Sequence, residues 1–290
     1  MDRAALVDFA RISIARGSKS FALASRLFDY TTRERAWLLY SWCRKCDDIA
    51  DGQDHGGVLS VVDNPAERLA ILKTMTARAL AGEETGDPNF DALGLVVREC
   101  AIPHAWPLDL IEGFAMDAAG FSPRTTEDLL RYCYHVAGVV GKMMAVIMGV
   151  DPQDEDTLAR ANDLGLAFQL ANIARDISED ADAGRCYLPA TWLGKADIPP
   201  GEHMKPPYRV ALADLAGQLE RMASHYEDRA RVGAKQLPFR SRWAVLTAAG
   251  IYGDISREVA RRGEKAWDAR VVTSKAAKAG WVARAFVQAV

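Results

Sequence analysis

Asn172, Asp176 and Asp180 recur at intervals of four in the stretch Asn172-Ile-Ala-Arg-Asp-Ile-Ser-Glu-Asp180. On an α-helix that interval sets three oxygen-bearing side chains on one narrow face, while Ile173 and Ile177 fall on a neighbouring stripe that can pack. Aligned carboxylates near a helix C-terminus repel one another and meet the negative end of the dipole, so a cation is expected to offset them. Hard oxygen ligands on a stiff scaffold suit Mg²⁺, which keeps several of its waters and often holds substrate phosphates too. An isolated Asp-x-x-x-Asp is more often a solvated acidic face. Against that stands a second copy, Asp47-Asp-Ile-Ala-Asp51, more than a hundred residues earlier.

Around the second copy, Tyr40, Arg44, Asp47 and Asp51 step by four, three and four, which gathers them on one helical face. Arg44 there is either a surface ion pair or a diphosphate clamp beside a metal. Gly17-Ser-Lys-Ser-Phe21 is likewise either a plain helix cap or a phosphate cradle of free N–H groups. Two acidic faces brought together across a helical core can hold divalent ions between them. A diphosphate bound to such ions becomes a better leaving group. If its carbon is allylic, ionisation gives a stabilised carbocation, which needs a dry apolar pocket. Arg44 and Arg175 beside the acids, and helices rich in Gly and Met, are the parts such a site requires. A carboxylate-bridged di-iron site needs Glu-x-x-His pairs, and no Glu here is followed by His at the third position.

The elements that must carry these residues read as helical almost throughout, with no clear strand alternation. Helices are expected at 4–16, from a cap at Thr31 or Thr32 to about Ala50, at 65–80, 89–100 and 107–118, and from Thr125 or Thr126 to about Met148. Further ones are expected at 154–180, 208–232, 239–262 and 274–288, the last one basic. Gly52 to Asn64 reads as a loop that could serve as a flap. Gly138 and Gly141, costly inside a helix, imply close approach by another helix or by a ligand chain. No linker or internal repeat divides the 290 residues, so one all-α domain, 1–290, is expected.

A formal net charge of −3 argues against nucleic acid as the main partner. The five cysteines are scattered, and Cys43 and Cys46 lack the partners of a zinc site, so they are read as reduced thiols of a cytoplasmic protein. No secretory signal is visible. The longest apolar run, Val136 to Val150, is too short to span a bilayer, which leaves a soluble or peripherally attached chain.

Four motifs in order carry a resemblance: Gly17-Ser-Lys-Ser-Phe21, Tyr40-x-Trp-Cys-Arg-x-Cys-Asp-Asp-x-x-Asp51, Tyr132-Cys-Tyr-x-Val-Ala-Gly-x-Val-Gly141 and Gln169-x-x-Asn-Ile-x-Arg-Asp-x-x-x-Asp180. Together, over about residues 10–265, they resemble the squalene/phytoene synthase family. Gly113-Phe-Ala-Met-Asp117, Arg131-Tyr-Cys-Tyr-His135 and Arg185-Cys-Tyr-Leu-Pro189 are close to its bacterial, phytoene-forming branch. The resemblance implies the class I isoprenoid synthase bundle with a central apolar cavity. It also implies a head-to-head (1′-1) condensation of two geranylgeranyl diphosphates through prephytoene diphosphate to phytoene, with Mg²⁺ or Mn²⁺ and without a nicotinamide. The alternatives are a squalene or dehydrosqualene synthase acting on farnesyl diphosphate, and a helical protein that binds prenyl diphosphate without turnover.

Carried over by residue, the resemblance puts Asp47, Asp51, Asp176 and Asp180 on the metals with Asn172 close by. Gly17, Ser18, Lys19, Ser20, Arg44 and Arg175 would hold phosphate. Tyr40, Gln169 and Tyr252 would line the site, and Tyr132 would sit near the reacting carbons. His135 occupies the place of a squalene synthase tyrosine proposed to assist catalysis, so it is either a base or a hydrogen-bonded core histidine. An apolar product and long substrate tails imply weak membrane-surface association, through apolar residues near the pocket mouth or the basic last helix.

Overall fold

The structure is a computed structural model that describes residues 1–17, 19–52 and 64–290; the side chains of Lys19, Ser20 and Asp51 are outside the described set. The expected flap at 52–64 therefore falls almost wholly outside the described residues, as does Ser18. Every regular element among the described residues is helical.

In chain order, α1 (Arg3–Gly17) and the short α2 (Lys19–Ser25) lead to α3 (Tyr30–Asp51). The cap of α3 is Asp29, two residues before Thr31: its carboxylate accepts from the Thr32 N–H at 3.0 Å, so Thr31 and Thr32 lie in the first turn. Then come α4 (Pro65–Leu80), α5 (Pro88–Cys100) and α6 (Ala105–Ala118), each at or near its expected span. A capping box of Thr125 and Asp128 opens α7 (Thr126–Cys133).

The expected single helix from 126 to about 148 is interrupted. A π-helical turn, Tyr134–Gly138, separates α7 from α8 (Val139–Ile147). The physical reason lies across the interface. The next helix, α9 (Glu155–Asp182), comes so close that a Cβ on Gly165 would lie 2.6 Å from the Gly138 Cα. A Cβ on Gly141 would run into the Ala161 carbonyl. Widening one turn fits the backbone to this contact. The glycines thus serve helix approach, and Gly141 also borders a cavity.

Asp154 caps α9 by accepting from the Thr157 N–H at 3.0 Å, and Glu155 and Asp156 favour its N-terminal dipole. After α10 (Ala190–Lys195) the chain closes with α11 (Arg209–Gly233), α12 (Phe239–Arg262) and α13 (Lys275–Ala289). Two apolar cores result. One gathers Leu38, Trp42, Phe90, Leu93, Ile111 and Met143 from α3, α5, α6 and α8. The other gathers Leu129, Leu170, Ile173, Leu212, Leu219 and Val259 from α7, α9, α11 and α12. Leu158 of α9 belongs to the first core and Leu166 to Ile177 to the second, so α9 is the shared wall between them.

Candidate active site

Between the cores lie two cavities of about 410 and about 380 Å³. The first is acidic. Asp47 enters it from α3, Asp117 from α6, Tyr132 from α7, and Gln169, Asn172, Asp176 and Asp180 from one face of α9; Arg185 and Tyr187 come from the segment after α9. The second is apolar and is lined by Phe21, Tyr40, Val140, Met144, Phe168 and Tyr252 among others. Asp47, Leu110, Val136, Gln169 and Asn172 border both, so the acidic chamber adjoins the apolar one at the level of Asn172. The α3 and α9 acidic faces expected from spacing thus meet in one place; the Asp51 side chain lies outside the described residues.

The charges are partly offset by arginines. Arg175 forks onto Asp176, with Nε to Oδ1 at 2.7 Å, and Arg270 reaches the same carboxylate at 2.8 Å and Glu179 at 2.6 Å. Arg44 places Nε and Nη2 on Asp48 at 3.0 and 2.7 Å, with Nη1 3.9 Å from Asp47. Burial first, then the Asp176 charge, push the Asp180 carboxyl up to about 7, against the opposing pull of Arg185.

Among the described residues no three acidic, histidine or cysteine side chains are close enough to grip an ion by themselves. The donor set still suits a hard divalent cation that keeps waters and shares substrate oxygens: four carboxylates, Asp47, Asp117, Asp176 and Asp180, and two carboxamides, Gln169 and Asn172, border one chamber. A cation there would also relieve the opposition to ionising Asp180.

Tyr132 and Tyr187 are tied to one carboxylate. Their hydroxyls donate to Asp117 Oδ2 and Oδ1 at 3.0 and 2.8 Å, and their rings stack at 4.8 Å, with Phe121 on the far face of Tyr132 at 5.4 Å. Burial, the Asp117 charge and these bonds hold both phenols well above the usual tyrosine range. Burial pushes Tyr40 up to about 12 and raises Tyr252, whose ring lies on Phe168 at 4.2 Å. Gly17 packs under Tyr40 and Arg44, where a Cβ would strike the phenol oxygen.

His135 is not brought to the site. It lines neither cavity, and its Nδ1 stands 2.9 Å from the Asp109 backbone carbonyl. A carbonyl oxygen only accepts, so Nδ1 carries the proton and the ring is anchored to α6. Of the two expected roles, this bond is that of a hydrogen-bonded histidine, and it leaves Nε2 as the acceptor of the ring. All five cysteines are free, and burial raises the Cys43 and Cys46 thiols, in keeping with plain thiols.

The squalene/phytoene synthase family profile matches residues 14–277. The chain belongs to the squalene/phytoene synthase family. It is 47% identical over 280 residues to a phytoene synthase of Pseudescherichia vulneris, covering 96% of this chain and 90% of that one. It is 46% identical over 276 residues to a 15-cis-phytoene synthase of Pantoea ananas, covering 94% and 89%. A crystal structure of a dehydrosqualene synthase in complex with ligand superposes with a TM-score of 0.86 at 25% identity, over 98% of this chain and 96% of that one. The all-α class I isoprenoid synthase fold expected from the motifs is the fold observed.

Family membership draws attention to residues that spacing arguments missed. Asp117, Arg185 and Tyr187 stood in quoted motifs, yet none shares a helical face with the paired acids. Arg270, in the segment before α13, carried no sequence signal.

Proposed function

We propose that this chain is a phytoene synthase. Two geranylgeranyl diphosphates are joined head to head. The first loses diphosphate, and its C1 cation is captured by the C2=C3 bond of the second; loss of a proton closes the cyclopropane of prephytoene diphosphate. A second loss of diphosphate, ring rearrangement and proton loss give phytoene, with no reductant consumed. The observation that carries this reading is the junction at Asp47, Gln169 and Asn172, where an acidic chamber opens onto an apolar one of tail-accepting size. The similarity to named phytoene synthases supports it further.

Asp47, Asp51, Asp176 and Asp180, with Asn172, would hold Mg²⁺ or Mn²⁺, whose charge offsets that of the departing diphosphate. Arg44 and Arg175, with Gly17, Ser18, Lys19 and Ser20, would hold phosphate oxygens. Tyr40, Gln169 and Tyr252 border the reacting end of the tails and exclude water. The proton acceptors are the released diphosphate and, through the Tyr132 hydroxyl, Asp117: the hydroxyl takes the substrate proton as it passes its own to that carboxylate.

The chain acts as one domain in the cytoplasm, peripheral to a membrane. Among the described residues no helix is long and apolar enough to cross one.

Incubation of the purified protein with Mg²⁺ and geranylgeranyl or farnesyl diphosphate, without NADPH, followed by mass spectrometry, tests the reading. A C40 hydrocarbon from the C20 substrate is expected. A C30 hydrocarbon from the C15 substrate alone would overturn the substrate, and no diphosphate release from either would overturn the activity.

A further inference from the structure

The apolar cavity runs along α9 from Asn172 back to Thr157, bordered at helical intervals by Gln169, Phe168, Gly165, Leu164 and Ala161. At about 1.5 Å per residue, Thr157 lies roughly 22 Å and Ala161 roughly 16 Å from Asn172. Met148, Thr157 and Leu237, all buried, also line the cavity. Helix α12 runs alongside in the same direction: Tyr252 stacks on Phe168, and Trp267, beyond the end of α12, donates to the Ala174 carbonyl at 3.0 Å. Seven residues back from Phe168 is Ala161, and seven back from Tyr252 is Val245, so both line the cavity about two helical turns before that stacked pair. Gly141 reaches the same depth, because a Cβ on it would meet the Ala161 carbonyl.

Tail length can be compared with that depth. At about 1.3 Å of projected length per C–C bond, the twelve-carbon main chain of three isoprene units extends roughly 14 Å and the sixteen-carbon chain of four roughly 19 Å. The fourth unit alone therefore reaches the level of Ala161 and Val245. We propose that Ala161 and Val245 set the tail length this chain accepts: the fourth isoprene unit of a C20 diphosphate passes between them, and a larger side chain at either position ends the cavity at three units. The proposal rests on the function proposed above and names its specificity-determining residues. Ala161 admits the unit because it projects a single methyl group, and Val245 because its side chain is short and adds only two methyl groups to the wall.

The test is the ratio of kcat/KM for farnesyl to that for geranylgeranyl diphosphate in the wild type, Ala161→Phe and Val245→Phe, read as diphosphate release with Mg²⁺. Both variants are expected to raise the ratio at least tenfold, mainly by losing the C20 substrate. Because the two substitutions sit on different helices, one decides the matter if the other fails to fold. A wild-type ratio in a variant with a native melting temperature overturns the proposal, and so does an equal loss with both chain lengths. If the wild type turns over neither substrate, the proposed function falls, while the same ratio taken from binding affinities still decides the tail-length assignment.

Discussion

At Asp180 the acidic chamber opposes ionisation of one of its own carboxyls. That carboxyl is pushed up to about 7, chiefly by burial and then by Asp176. Below about pH 4 it is protonated in both the folded and the unfolded chain and costs nothing. Between about pH 4 and 7 the unfolded chain gives up this proton first, so folding stability falls as pH rises, and above 7 the loss is complete. In the absence of divalent ions, Asp180→Asn removes a penalty on the order of a few kcal/mol at pH 8 and changes little at pH 4. Thermal melts in EDTA should show a melting temperature raised by several degrees at pH 8 only. An unchanged or lowered value at pH 8 would mean that another group already neutralises the carboxylate. The same substitution, like Asp47→Asn and Asp176→Asn, is expected to cut turnover by roughly 10²-fold or more with the fold intact. Near-normal turnover in any one would remove that residue from the metal-binding set.

At the scale of elements, the α8–α9 contact decides whether the two chambers align. Gly165 abuts the π-helical turn with no room for a methyl group, whereas Gly280 in α13 has nothing within 4 Å of its Cβ position. One substitution should therefore act with opposite sign at the two sites. Gly165→Ala is expected to cost about 1–3 kcal/mol through overpacking. Gly280→Ala is expected to gain about 0.5–1 kcal/mol from helix propensity. Urea midpoints at constant m-value check both, and equal shifts would contradict the packing account. This contact also shows what was legible in the sequence. Apolar periodicity and caps located nearly every helix, and i, i+4 spacing found the α9 acids, because both are local properties. The π-helical turn was not legible: it answers to α9, which follows it in sequence, and Gly138 and Gly141 signalled close approach without saying to what. Asp117 was missed for a related reason. It sits alone near the end of α6, and only the fold brings it between Tyr132 and Tyr187. His135, by contrast, sits in the family motif yet lines neither cavity.

At the scale of the whole molecule, charge and apolarity are unevenly spread. The net charge is −3, yet α13 carries Lys275, Lys278 and Arg284 and no acid. Phe239, Trp243 and Phe286 form an aromatic cluster with centroids 5.2–6.2 Å apart, and Phe286 and Val287 are exposed beside it at 44% and 76%. Arg240 ties this cluster to the turn after α2 through the Leu27 carbonyl at 2.8 Å, and Ala24 of α2 borders the apolar cavity, as does Leu237 just before α12. An exposed apolar cluster flanked by cations, close to the wall of a cavity meant for isoprenoid tails, suits the surface of an anionic bilayer, where apolar insertion and charge attraction add. Vesicles containing phosphatidylglycerol should therefore float the protein at low salt, with less bound at high salt as the charges are screened. Phe286→Glu combined with Val287→Glu should abolish flotation while leaving turnover of detergent-dispersed substrate within about twofold, since neither residue lines a cavity. Undiminished flotation of the double variant would move the membrane face elsewhere on the molecule, and no flotation of the wild type at low salt would remove membrane attachment from the account of how its apolar product departs.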